Sequence, residues 1–143
     1  MKTLLQLTVF AMIATLLAGC ARSGPSPEAS FKKMYKSLAA YDRTGYQGYQ
    51  DDAFALLSDA SRNVLEQQAA AINKTLPEGV QSISAAQLLL VRKLPMGDTV
   101  VKTKTVEQRA DRVLLAVTYS GGEGSAVLVR KGEKWGVDLW PSL

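Results

Sequence analysis

Catalysis at neutral pH most often draws on histidine or cysteine, and this chain of 143 residues has no histidine and a single cysteine, Cys20. Imidazole and thiolate metal centres are excluded by the same count, so only an all-oxygen metal site is conceivable, and no metal or other cofactor is expected. The sequence contains no phosphate loop, nucleophile elbow or calcium loop. No disulfide can form within the chain, and a free thiol would be a liability in an oxidising compartment. What remains for chemistry is carboxylates, tyrosines, tryptophans and lysines. Tyr41, Tyr46 and Tyr49 gather around Gly45 and Gly48 on a connection between helices. Aromatic rings so placed suit the rim of a ligand pocket or a stacking surface for sugar rings, or else pin one helix to the next. Trp135 is expected in the core and Trp140, near the chain end, at the surface. Lys32, Lys33 and Lys36 share one helical face, suited to solvent or to anionic headgroups. Asp51 and Asp52 are expected at a helix start, as partners of the macrodipole and not as metal ligands.

Cys20 sits at the end of an apolar run. Lys2 gives a positive start, and residues 4–17 are apolar apart from Gln6 and two threonines. A membrane-spanning helix needs about 20 apolar residues, so this run has the proportions of an export signal. It ends in Leu17-Ala18-Gly19-Cys20, which resembles the lipobox of bacterial lipoproteins. The resemblance implies a diacylglycerol on the Cys20 sulfur, cleavage between Gly19 and Cys20, and acylation of the new amino group. Small side chains before the cysteine let an extended segment fit the protease. A plain secretory signal is the alternative. The implied organisation is a signal peptide over 1–19, a lipidated cysteine and tether over 20–25, and one domain over 26–143. Two or three acyl chains hold a protein at a bilayer durably, at about 0.8 kcal/mol per buried CH₂. Ala21, and not an aspartate, follows the cysteine; within this resemblance that favours the outer membrane, with the domain facing the periplasm.

Ser26-Pro27-Glu28 is a helix start: a hydroxyl cap, proline at the first position and an acid at the positive end of the dipole. Phe31, Met34, Tyr35, Leu38 and Tyr41 then recur at three- and four-residue steps, predicting an amphipathic helix to about residue 42. Residues 42–50 break the pattern, and a short helix through Ala53, Phe54, Leu56 and Leu57 is expected. Ser58 or Ser61 caps a longer helix through Leu65 and Ala69, and another short helix is expected over 84–93. From residue 100 onward, β-branched residues and short turns predict strands over 100–107, 113–119, 125–130 and 135–140. Short connections make neighbours antiparallel. The expected fold is α+β: N-terminal helices packed on a curved, antiparallel four-stranded meander.

This order of elements, with Tyr119-Ser120-Gly121-Gly122 and the final Lys134-Trp135-Gly136-Val137-Asp138-Leu139, resembles the nuclear transport factor 2-like fold over most of residues 27–141. The likeness is greatest to small bacterial lipoproteins of uncharacterised function that carry it. Some enzymes of that fold place an acid and a tyrosine in the cone between helices and sheet. The positions here that the resemblance points to are Asp138, Tyr119, Asp42 and Tyr41, for isomerase- or cyclase-like proton transfer. Strand alternation argues against Asp138: if Trp135, Val137 and Leu139 line the interior, Asp138 faces away. The favoured expectation is therefore a non-catalytic envelope lipoprotein that binds a partner protein or small ligand, with Tyr41, Tyr46, Tyr49, Tyr119, Trp135 and Asp138 as candidate pocket or surface residues.

A formal charge of +4 spread along the chain does not identify a nucleic-acid binder. Val113, Leu115, Val117 and Tyr119 alternate with Leu114 and Ala116, and Val127 and Val129 with Ala126 and Leu128. Both faces of the middle sheet are thus apolar, so a homodimer through the face that helices leave open is expected. Lys102 and Lys104 would guard a sheet edge.

Overall fold

The computed structural model describes residues 24–89 and 100–141. The expected signal, the Gly19–Cys20 cleavage point and the expected continuation of the last helix to Lys93 fall outside those residues.

Helix α1, Pro27–Thr44, forms as its cap and stripe dictate. The Ser26 hydroxyl accepts from the Ala29 amide at 3.1 Å, and Gly45, at φ 67°, closes the last turn by donating to the Tyr41 carbonyl at 2.7 Å. Phe31, Met34, Tyr35 and Leu38 are buried, while Lys32, Lys33 and Lys36 are exposed. The break after α1 is shorter than the glycines suggested. Helix α2 is Gln47–Ala55, so Gly48 is helical and only Gly45 and Tyr46 form the connection. Tyr41 and Tyr49 consequently stand on helices and not on a flexible loop. Asp51 and Asp52 lie beyond the first turn of α2, which corrects their placement at a helix start.

Leu56 and Leu57 leave the helix altogether. Leu57 makes a parallel bridge with Val137; the Ser58 amide donates to the Val137 carbonyl at 2.8 Å and the Val137 amide to the Leu56 carbonyl at 2.9 Å. Backbone groups that would have continued α2 are used to close an edge of the sheet. Ser58 then caps α3, Asp59–Asn73. Helix α4, Ala85–Leu88, opens with a reciprocal capping box between Ser84 and Gln87.

The strands are β1 Val100–Gln108, β2 Arg112–Tyr119, β3 Gly122–Lys131 and β4 Lys134–Asp138, paired antiparallel in chain order. The glycine-rich stretch expected as a loop is largely strand: Tyr119 pairs with Gly122 across a two-residue turn. β4 stops at Asp138, two residues short of Trp140. β1 is an edge strand with Lys102 and Lys104 exposed on it, in line with their expected place.

Alternation sorts the sheet into two faces. Val113, Leu115 and Val117 on β2 lie level with Leu128, Ala126 and Gly124 on β3, and Leu128 lies level with Val137 on β4. This inner face meets α1 in one apolar cluster that contains Phe31, Met34, Leu38, Leu57, Leu115 and Trp135. The α+β architecture, helices first and a four-stranded meander second, is therefore as the sequence predicts.

Candidate binding surface

Among the described residues, the buried polar side chains are Ser30, Gln50, Ser58 and Ser61, none of them a carboxylate or an amine. Phe31, Leu38 and Trp135 are each at most 6% exposed, so they fill the space between helix and sheet. Tyr119 is half-buried at the end of this core, its ring 5.5 Å from Tyr35, which in turn lies 5.8 Å from Phe31. Burial pushes the Tyr119 hydroxyl above its ordinary pKa of 10.0, because the phenolate would be poorly solvated there. Gln50 is fully buried, and neither end of its amide has a hydrogen-bond partner in the protein.

Asp138 is not in that interior. It pairs with Val127 on the face opposite Val137, and its Oδ1 accepts from the Ser61 hydroxyl at 3.1 Å and the Trp140 amide at 3.3 Å. Ser61 Oγ also accepts from the Leu139 amide at 2.9 Å. These bonds fasten the first turn of α3 to the end of β4, a structural role that alternation foretold only as an outward direction. Asp42 is exposed near the end of α1. Replacing Asp138 with alanine leaves the hydroxyl of Ser61, a residue only 1% exposed, without its acceptor. The expected cost is about 1–3 kcal/mol in urea unfolding. Asparagine, which keeps the acceptor oxygen, should recover most of it; equal losses for both variants would contradict this role.

The tyrosines around Gly45 have a different geometry. Tyr46 is 66% and Tyr49 37% exposed, with ring centroids 5.6 Å apart at 84°, an edge-to-face pair. Gly48 sits beneath the Tyr46 ring: a Cβ there would come within 2.5 Å of Tyr46 Cε1. The absence of a side chain at 48 thus lets the Tyr46 ring fold back along α2 while still facing solvent. Tyr41 is half-buried one turn before the corner. Trp135 is core, with the Arg130 guanidinium 5.1 Å from its ring centroid, and Trp140 is half-buried. Of the six candidate residues, then, Tyr46 and Tyr49 form the exposed pair, while Trp135 and Asp138 are committed to packing and to the α3–β4 fastening.

On the outer face of the sheet, Leu114 lies opposite Val127; Val127 is buried, Leu114 and Val129 are half-buried and Ala116 is exposed. Among the described residues, no three carboxylates or thiols are grouped to hold a metal, and no helix is long and apolar enough to cross a membrane.

The Ser61–Asp138 fastening and the Leu57–Val137 bridge were not anticipated from sequence. The available signal was Gly136, a glycine inside a strand, which marks close approach by another backbone. Compared with protein-family profiles, with curated proteins and with solved structures, the chain matches none.

Proposed function

We propose that this chain is a bacterial lipoprotein, lipidated at Cys20 and held in the envelope at the outer membrane, whose domain acts by binding a partner protein or small ligand. Its α+β fold is assigned to the nuclear transport factor 2-like type on the order of helices and meander. The anchoring half of the proposal stands on Leu17-Ala18-Gly19-Cys20 at the end of the apolar run. The binding half stands on one observation, the edge-to-face pair of Tyr46 and Tyr49 left open to solvent at the α1–α2 corner. Two rigid rings offer apolar area at little entropic cost and keep hydroxyls for hydrogen bonds, which is why tyrosine is favoured at recognition surfaces. The outer sheet face, where Leu114 and Val129 are half-covered and Ala116 is exposed, is the place assigned to a second copy of the chain.

A photoreactive phenylalanine analogue at position 46, activated in intact cells, tests the binding half. The expected outcome is a discrete cross-linked species that is absent when the analogue stands at Ala110, an exposed turn residue, and that fades when Tyr49→Ala is added. Identical patterns from positions 46 and 110 would remove the tyrosine corner from the proposal.

A further inference from the structure

The place where the tether meets the domain fixes which end of the domain faces the bilayer. Gly24 lies against the β3–β4 turn so closely that a Cβ on it would collide with the carbonyl oxygen of Glu133. Between Cys20 and Gly24 stand only residues 21–23. Four Cα–Cα steps span at most about 14 Å even when fully extended. In a four-stranded meander the β1–β2 and β3–β4 turns share one end and the β2–β3 turn occupies the other.

We infer that the end carrying the β1–β2 and β3–β4 turns rests on the lipid headgroups, and that the tyrosine corner is presented away from the membrane. This rests on the proposed lipid anchor at Cys20. β3 from Gly122 to Lys131 rises about 3.4 Å per residue, so the opposite turn stands roughly 30 Å further out. Helix α1 runs the same way. Near its start the Glu28 carboxylate accepts from the Thr105 hydroxyl, and Thr105 lies level with Leu115; two turns on, the Tyr35 ring packs at a tilt against Tyr119, at the β2–β3 end. The remainder of α1 carries the chain onward to Tyr46 and Tyr49. The membrane-facing turns suit an anionic surface. Arg109, Arg112, Arg130, Lys131 and Lys134 flank them against Glu107, Asp111 and Glu133, and Lys134 is exposed on this end. Lys131 is drawn back onto Asp59 at 2.7 Å and Arg109 onto Glu107 at 2.7 Å, so the tether sets the orientation and the basic excess adds to it.

The test uses the full lipidated protein, in which the Cys20 thiol is consumed, with one fluorophore-labelled cysteine introduced as Lys134→Cys, Ala110→Cys or Glu123→Cys. Each is reconstituted into phosphatidylethanolamine–phosphatidylglycerol vesicles carrying a nitroxide on the headgroup. Labels at 134 and 110 are expected to be quenched several-fold more than the label at 123. Equal quenching at all three, or stronger quenching at 123, in protein that sediments with the vesicles would overturn the orientation alone. Protein that fails to sediment with vesicles in any variant would overturn the anchor and the orientation together.

Discussion

A valine at position 136 is expected to cost the domain about 4 kcal/mol or more, enough to unfold a large fraction of a protein of ordinary stability. Gly136 passes under the Leu56–Ser58 segment, where even one added carbon would stand 2.9 Å from both Ser58 Cα and Ser58 N and 3.0 Å from the Leu57 carbonyl carbon. All three are backbone atoms, so no side-chain rotation relieves the contact. Overpacking of this kind costs about 1–3 kcal/mol by itself. Moving the segment away stretches the two backbone hydrogen bonds to Val137, each contributing about 1 kcal/mol, and pulls Ser58 from its cap on α3, worth about 1 kcal/mol more. The Ser61–Asp138 fastening moves with them. Gly136→Ala should give a smaller loss in the same direction. Urea midpoints followed by far-ultraviolet circular dichroism measure both; a valine variant with the wild-type midpoint would mean that the Leu57 bridge contributes nothing to stability.

The Leu57–Val137 bridge is the part of the fold that sequence conceals. The start of α1 is legible because Ser26, Pro27 and Glu28 act locally, and its buried face because Phe31, Met34, Tyr35 and Leu38 recur at helical spacing. The meander is legible because alternation and short turns leave antiparallel pairing as the simple solution. A single-residue bridge between Leu57 and Val137 produces no periodicity, since it joins positions far apart in the chain and buries a residue that either helix or strand would bury. The glycines misled in two places for one reason: a glycine permits a turn without requiring it. Gly45 does adopt the left-handed conformation, whereas Gly48 continues a helix and Gly122 and Gly124 lie in a strand.

The candidate site was legible by halves. Alternation turned Asp138 away from the interior, and of the three tyrosines around Gly45 two, Tyr46 and Tyr49, pair at the α1–α2 corner, with Tyr41 and Tyr49 on helices and not on a flexible connection. The partners of Asp138 and the contact of Tyr35 with Tyr119 depend on how α1 and α3 cross the sheet, and no local pattern encodes that crossing.

Lipid on Cys20 is proposed to hold the domain at a membrane. Its effect is all-or-none: the thiol is the only one in the chain, so no neighbouring residue can take the modification in its place. The acyl chains supply about 0.8 kcal/mol per buried CH₂ to hold the processed domain. The most direct measurement is metabolic labelling of cells with an alkyne fatty acid, followed by detection on the purified wild-type protein and on Cys20→Ala. Label is expected on the wild type in the membrane fraction, and no label, with retention of the longer precursor, in the variant. Equal labelling of both proteins, or none in either, would contradict it.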